Sequence, residues 1–120
     1  MSKILIVDDA IFMRKVIRDL LKQNDYTDIV EASDGLQAVE QYSEHRPDLV
    51  IMDITMPSLD GIETVKQLHK IDENVTILMC SAMGQEAMVR EAIKQGAKDF
   101  VVKPFKPDRV ITAVKKLLGE

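Results

Sequence analysis

Short apolar runs alternate with amphipathic segments along the whole chain. Five apolar runs have the length of a strand, and several of them are rich in β-branched residues. The five runs cover residues 4–7, 29–32, 49–52, 75–80 and 99–102. Most are continuously apolar rather than alternating, which is typical of strands that are covered on both faces. The pattern therefore predicts five buried parallel strands.

The hydrophobic period changes to that of a helix after each run. The apolar stripes at helical spacing begin at Met13, Ala38, Val65, Val89 and Val110. Gly96, just beyond the fourth stripe, is typical of the end of a helix. The polar segments 33–35 and 58–61 are typical of turns or helix starts.

A strand followed by a helix, repeated five times, predicts a doubly wound α/β fold of the flavodoxin-like, three-layer type. Right-handed crossovers place helices on both faces of one parallel sheet. We expect the strand order 2-1-3-4-5, which puts the first and third strands side by side. The ends of these strands then share the edge at which open α/β sheets bind their ligands.

The composition fits one domain over residues 1–120. The chain has 46% hydrophobic residues and a net charge of −4, which argues against nucleic acid as a partner. Its single cysteine, Cys80, cannot form an internal disulfide, and no stretch approaches the length of a transmembrane helix. We therefore expect a cytoplasmic protein with no insertion into membranes.

Three of the apolar runs lead into charged residues. Asp8 and Asp9 follow the first run, Asp53 follows the third, and Lys103 follows the fifth. Two carboxylates about 4 Å apart repel by roughly 4 kcal/mol at an effective dielectric constant near 20. Such a cluster needs either a cation or a function that uses the strain. A site that offers few carboxylates and leaves coordination positions open suits Mg²⁺. The sequence predicts a Mg²⁺ site there, to which the backbone carbonyl of Thr55 can contribute.

Asp53 can also act as a nucleophile. A carboxylate that attacks a phosphoryl group forms an aspartyl phosphate, and Mg²⁺ offsets charge in the transition state. Lys103 can supply a second cation, and the hydroxyl of Ser81, after the fourth run, can donate a hydrogen bond. The Lys103–Pro104 bond is a candidate for the cis isomer, which would aim the amine.

Each of these residues also has a purely structural interpretation. Asp8 and Asp9 can cap the first helix, Ser81 can cap the fourth, and Lys103 can be a solvated surface lysine. Asp53 favours the functional interpretation, because a carboxylate directly after a buried strand is costly unless it is paired or coordinated. Phe100, on the last strand, is by default a core residue.

Together, Asp8-Asp9, Asp53, Ser81 and Lys103-Pro104-Phe105 resemble the receiver domain of two-component response regulators. The resemblance covers the whole chain. It implies that Asp53 accepts a phosphoryl group from the phosphohistidine of a sensor histidine kinase.

The same resemblance implies further roles. Mg²⁺ would be held by Asp8, Asp9, Asp53 and the Thr55 carbonyl. Lys103 and Ser81 would contact the phosphoryl group. Phosphorylation would reach the surface through two switch residues, Ser81 and Phe100.

The runs 8–14 and 80–85 look like those of single-domain chemotaxis members, the CheY type. This implies a monomer that relays its signal to a flagellar motor switch protein, with a phosphatase as a further partner that resets it. Two departures stand out: the switch hydroxyl is Ser81 rather than threonine, and the switch aromatic is Phe100 rather than tyrosine. Ile11 and Phe12 lie off the core stripe of the first helix, as in a docking patch.

Other functions use a similar sheet. An aspartyl-phosphate phosphatase needs an Asp-x-Asp arrangement after its first strand, and the segment 53–55 lacks the second aspartate. We expect no enzyme activity beyond the chain's own phosphorylation and dephosphorylation. A flavin-binding carrier needs a phosphate loop where Asp8 and Asp9 would repel phosphate. A stand-alone phosphorelay receiver outside chemotaxis stays open as an alternative.

Overall fold

The computed structural model describes residues 2–56 and 59–120. Its strands form one parallel sheet in the order β2-β1-β3-β4-β5, which confirms the predicted topology. The strands are β1 (Lys3–Val7), β2 (Asp28–Ala32), β3 (Leu49–Asp53), β4 (Ile77–Ser81) and β5 (Asp99–Val102). The helices are α1 (Ile11–Gln23), α2 (Gly35–His45), α3 (Gly61–Ile71), α4 (Glu86–Lys94) and α5 (Pro107–Leu118).

Successive strand residues point to opposite faces of the sheet, and each face has its own core. Leu5 and Val7 join one cluster, which α2, α3 and α4 cover with residues such as Ala38, Leu68 and Ala92. The other cluster lies under α1 and α5. It contains Ile4, Ile6, Ile17, Leu21, Val110 and Val114. Burial on both faces explains why the strands read as continuous apolar runs.

Five strand boundaries differ from the prediction, two of them because β1 and β2 begin one residue earlier, at Lys3 and Asp28. β4 begins at Ile77 rather than at Val75, because the Val75 N–H donates to the Asp72 carbonyl in a turn, at 3.0 Å. β3 and β4 each continue one residue past the apolar run and end on Asp53 and Ser81. The ladder continues because Ile54 still donates to the Cys80 carbonyl, at 3.0 Å. A polar side chain therefore occupies the last position of two neighbouring strands.

The helix starts follow local hydrogen bonding. Asp34 caps α2 by accepting from the Gln37 N–H, and Asp60 caps α3 by accepting from the Glu63 N–H, each at 2.8 Å. Both confirm the predicted starts, except that Ser58 lies outside the described residues. Gly96 follows the C-cap of α4 with φ of +130°, a left-handed conformation that favours glycine.

Gly61 joins α3 closely to the end of β3. Its N–H donates to the Ile54 carbonyl at 3.0 Å. A Cβ atom at this position would lie only 2.6 to 2.8 Å from the backbone of Asp53 and Ile54. The glycine therefore allows α3 to start directly beside the last residue of β3. Across the described ranges, no helix is long and apolar enough to cross a membrane.

Candidate functional site

Three carboxylates converge at the carboxyl edge of the sheet. Asp8 and Asp9 follow β1, and Asp53 ends β3, the strand beside it. One carboxylate oxygen from each residue lies within 4.8 Å of the others. Asp8 is buried, Asp53 is 9% exposed and Asp9 is open to solvent. The structure thus brings together the three acidic residues that the sequence singled out.

Lys103 reaches the same place from the end of β5. Its Nζ lies 3.3 Å from Asp53 Oδ2 and 3.5 Å from Asp8 Oδ2. Its backbone N–H donates to the Ser81 carbonyl at 2.7 Å, and the Lys103–Pro104 bond is cis. The interpretation of Lys103 as a solvated surface lysine is therefore wrong.

The electrostatics of the site follow from burial and neighbouring charges. Burial raises the pKa of the Asp53 carboxyl, Lys103 opposes the rise, and Asp8 adds to it. Burial by itself would lower the pKa of Lys103, but Asp53 and Asp8 outweigh it, and the net shift is upward. Lys103 is therefore held in its charged form, while ionised Asp53 is destabilised by its surroundings.

Neither capping interpretation holds for the site residues. Ala10 is the cap residue of α1, and Asp8 Oδ1 accepts from the Ala10 N–H at 2.9 Å in a local turn before the helix. Ser81 lies in β4, whereas the cap residue of α4 is Gln85. Ser81 is 2% exposed, so its hydroxyl is sheltered at the strand end beside Asp53.

The donor set fits Mg²⁺. It consists of oxygen atoms, which hard divalent cations prefer, and it supplies few enough of them to leave positions for water and phosphate. The backbone N–H of Thr55 points at the same carboxylate, since it donates to Asp53 Oδ1 at 3.4 Å. An acidic oxygen pocket beside a half-buried lysine can bind a phosphoryl group together with a divalent cation.

The response regulator receiver domain family matches residues 4–115 of this chain. The chain belongs to that family. It is 58% identical over 117 residues to the chemotaxis protein CheY of Bacillus subtilis, with 98% of each chain covered. It is 39% identical to the sporulation initiation phosphotransferase F of the same organism, with 98% of this chain and 94% of that protein covered.

A solved structure agrees with the receiver fold. A chain of the CheX-CheY-BeF3-Mg+2 complex from Borrelia burgdorferi is similar with a TM-score of 0.91 and 36% identity. The alignment covers 97% of this chain and 88% of the other. The flavodoxin-like arrangement predicted from the sequence is therefore confirmed by the sheet and by a structural relative.

Gln85 belongs to the surroundings of the receiver site, although sequence reasoning did not single it out. Its Oε1 accepts from the Ala82 N–H at 2.7 Å, and its Nε2 donates to Thr55 Oγ1 at 2.9 Å. One side chain thus links the loop after β4 to the loop after β3, which begins directly after Asp53. The segment 80–85 of the resemblance contains Gln85, but nothing in its spacing indicates this contact.

Arg14 is a second residue whose role the sequence did not reveal. Its Nη1 donates to the Asp8 backbone carbonyl at 2.6 Å, and its Nε pairs with Glu31 Oε1 at 3.0 Å. The contact ties the first turn of α1 to the acidic loop after β1. A basic residue on the polar side of a helix carries no sequence signal for such a bond.

The remaining predicted residues lie around the site. Phe100 is 38% exposed and lines a groove of about 320 Å³ between α4 and β5, so it is not a core residue in this state. Ile11 and Phe12 are 75% and 70% exposed, which confirms that they lie off the core stripe. Cys80 is buried, and its burial raises the pKa of the thiol. Reactivity at Cys80 is therefore suppressed.

Proposed function

We propose that this receiver domain is a phosphorylation-dependent switch of chemotaxis, with Asp53 as the phosphoacceptor. The observation that carries the proposal is the convergence of Lys103 on Asp53 within an acidic pocket, in a chain 58% identical to a chemotaxis protein CheY. The donor would be the phosphohistidine of a sensor histidine kinase. We further propose a monomer acting in the cytoplasm.

Asp8, Asp9 and Asp53 would hold Mg²⁺, and the Thr55 carbonyl would be a further ligand. When bound, Mg²⁺ supplies positive charge to the phosphoryl oxygens and to the transition state. The relative from Borrelia burgdorferi, a complex with BeF3 and Mg²⁺, supports this assignment.

A carboxylate oxygen of Asp53 would attack the phosphorus atom while the phosphorus–nitrogen bond to the donor imidazole breaks. The product is an acyl phosphate on Asp53 and a free histidine on the donor. The ammonium of Lys103, now 3.3 Å from Asp53 Oδ2, would transfer its contact to a phosphoryl oxygen. The hydroxyl of Ser81, at the end of the next strand, would donate a hydrogen bond to a second phosphoryl oxygen.

Hydrolysis would end the signal: water would attack the phosphorus atom, the bond between phosphorus and the Asp53 oxygen would break, and inorganic phosphate would leave with the Asp53 carboxylate restored. On this view the receiver turns over no external substrate and is not an enzyme in the ordinary sense. A phosphatase partner would accelerate the same step. An aspartyl-phosphate phosphatase is the less favoured function, because the segment 53–55 lacks the second acidic residue.

The switch would run from Ser81 to Phe100. Movement of Ser81 toward the phosphoryl group would vacate space behind it, and Phe100 would turn inward from its exposed position. Phe100 has no hydroxyl, so its contribution would be one of shape alone. The face formed by α4, β5 and α5 would then change its affinity for a partner.

The partner we propose is a flagellar motor switch protein. The identity to the chemotaxis protein, 58%, exceeds the 39% identity to the sporulation phosphotransferase, which favours chemotaxis over a stand-alone phosphorelay. The net charge of −4 gives no support to a nucleic-acid partner.

The test is to incubate the protein with Mg²⁺ and acetyl phosphate and to measure its intact mass. We expect a phosphate-sized gain in the wild type that is absent in Asp53→Asn and after chelation. An equal gain in both proteins would exclude Asp53 as the acceptor. The affinity of the phosphorylated protein is then measured for two partners, a purified motor switch protein and a phosphorelay phosphotransferase. Tighter binding to the motor switch protein supports the chemotaxis role, and tighter binding to the phosphotransferase supports the phosphorelay role.

A further inference from the structure

We propose that Arg14 and Glu31 are positioning residues for the Mg²⁺ site. They touch neither the metal nor the phosphoryl group. They act by fixing the peptide that joins the first two carboxylates, Asp8 and Asp9. The inference rests on the proposed function, because it takes Asp8, Asp9 and Asp53 as the metal ligands.

The bond from Arg14 to the site is short and sheltered. Arg14 Nη1 donates to the Asp8 carbonyl oxygen at 2.6 Å, and the Arg14 side chain is only 14% exposed. A charged donor gives a stronger hydrogen bond than a neutral one, and shelter from water strengthens it further. This contact is therefore a firm restraint on the loop after β1.

The restrained carbonyl belongs to the peptide between Asp8 and Asp9. The other polar atoms of Asp8 are also engaged, because Oδ1 accepts from the Ala10 N–H at 2.9 Å and Oδ2 faces Lys103 Nζ at 3.5 Å. Because a peptide unit is planar, holding its oxygen sets where the next Cα atom lies. Asp9 is exposed, so its ligand atom is placed through this peptide rather than through surrounding packing.

Glu31 orients the arginine from the edge of the sheet. It lies on β2 opposite Ile6 of β1, and its two carboxylate oxygens pair with Arg14 at 3.0 Å and with Arg18 at 2.8 Å. Glu31 thereby also offsets positive charge close to a cation site. Without it, Arg14 would lose its orientation and its uncompensated charge would oppose Mg²⁺.

Arg18 provides a matched control. It pairs with the same carboxylate and carries the same charge, whereas the bond to the Asp8 carbonyl comes from Arg14. Arg14→Lys keeps the charge and removes the forked guanidinium. Arg18→Lys makes the same chemical change without touching the metal loop. Glu31→Gln tests the orienting group and is a second route to the answer if Arg14→Lys does not fold.

The experiment is a Mg²⁺ titration of the unphosphorylated protein, followed by amide chemical shifts of residues 8–10 and 53. We expect Arg14→Lys and Glu31→Gln to weaken Mg²⁺ binding by on the order of 10-fold. Arg18→Lys should stay within about 2-fold of wild type. The double variant Arg14→Lys/Glu31→Gln should bind Mg²⁺ less weakly than the product of the two single effects predicts, because both changes break one connection.

Thermal unfolding in EDTA separates positioning from general stability. A lower melting temperature with unchanged Mg²⁺ affinity in Arg14→Lys would overturn the inference and leave a structural role. Equal weakening by Arg18→Lys would overturn it as well, since the loss of either guanidinium that pairs with Glu31 would then suffice. Asp9→Asn serves as the reference for a lost ligand. A wild type whose Mg²⁺ response equals that of Asp9→Asn would instead refute the metal site of the proposed function.

Discussion

Lys103 Nζ lies 3.3 Å from Asp53 Oδ2, although Asp53 ends β3 and Lys103 follows β5, and these two strands are not neighbours. β4 separates β3 from β5, so the lysine side chain extends across the end of β4. The contact gives Asp53 a counterion in the resting state. Phosphoryl transfer to Asp53 would therefore begin from a site in which one positive charge is already in place.

Replacing Lys103 by methionine should slow phosphorylation. The change removes the cation that opposes the upward pKa shift of Asp53 and that would bind a phosphoryl oxygen. We expect the rate with acetyl phosphate to fall by on the order of 100-fold, as for loss of one oxyanion donor. Lys106→Met, which removes an exposed lysine nearby, is the control. Equal phosphorylation rates in the two variants would show that Lys103 does not assist phosphoryl transfer to Asp53.

Asp53→Asn should stabilise the metal-free protein at neutral pH. The folded-state pKa of Asp53 is raised mainly by burial, so its ionised form destabilises the fold at every pH above that pKa. The wild type recovers this stability as pH falls through the folded pKa toward the unfolded value. Urea unfolding in EDTA should show a gain of about 1 kcal/mol near neutral pH that shrinks in acid. A difference independent of pH would contradict this account.

Gln85→Met should loosen the two loops that flank Asp53. It removes the bonds to the Ala82 N–H and to Thr55 Oγ1 while keeping the length of the side chain. We expect faster hydrogen exchange at the Ala82 amide, a stability loss of about 1 kcal/mol and a shorter lifetime of the phosphorylated form. Gln95→Met, which breaks a bond to Glu91 at the far end of α4, is the matched control. Unchanged exchange at Ala82 would exclude the link.

Gly61→Ala should be among the more damaging small substitutions. The added Cβ would come within 2.8 Å of backbone atoms of Asp53 and Ile54, which cannot move aside as a flexible side chain does. We expect a loss of about 1–3 kcal/mol in urea unfolding and slower phosphorylation through the displaced end of β3. Gly84→Ala provides the comparison, because its Cβ would meet nothing within 4 Å and only its φ of +88° is unfavourable. A loss no larger at Gly61 than at Gly84 would refute the contact.

Ser81→Ala should separate phosphorylation from output. Ser81 is 2% exposed at the end of β4. Its hydroxyl is the group expected to move toward the phosphoryl group and to donate a hydrogen bond to a phosphoryl oxygen. Alanine keeps Asp53 and Lys103 intact, so the phosphorylated form should still appear in intact-mass measurements. Its affinity for the partner should fall about 10-fold, whereas Ser81→Thr should retain it, because threonine keeps the hydroxyl. Unchanged affinity in the alanine variant would exclude Ser81 as the coupling group.

The sequence predicted the sheet and the acidic cluster because both depend on local signals. A strand buried on both faces needs a continuous apolar run. A charged residue directly after such a run lies at the edge of the sheet, where it is costly unless it is paired or coordinated. Asp8, Asp53 and Lys103 could therefore be assigned to one edge as soon as the strand order was known. The proline after Lys103 makes that bond a candidate for the cis isomer, but the isomer that the structure shows is not determined by the sequence signal alone.

The supporting contacts could not be predicted in the same way. Gln85 and Thr55 are 30 positions apart, and Arg14 and Glu31 are 17 apart, so each pair meets only through the packing of whole elements. Polar residues on a helix or an edge strand are ordinarily solvated, and periodicity does not distinguish those that bind a distant partner. The exposure of Phe100 also escaped prediction, because its run has the composition of a buried strand.

Asp8 Oδ2 and Lys103 Nζ lie 3.5 Å apart, yet 95 positions of chain separate them. During synthesis the three carboxylates leave the ribosome well before the lysine that offsets them. A growing or truncated polypeptide without β5 would present an acidic edge from which this counterion is missing. On the proposed function, the site would therefore become competent for phosphoryl transfer only after β5 and Lys103 have been added to the sheet.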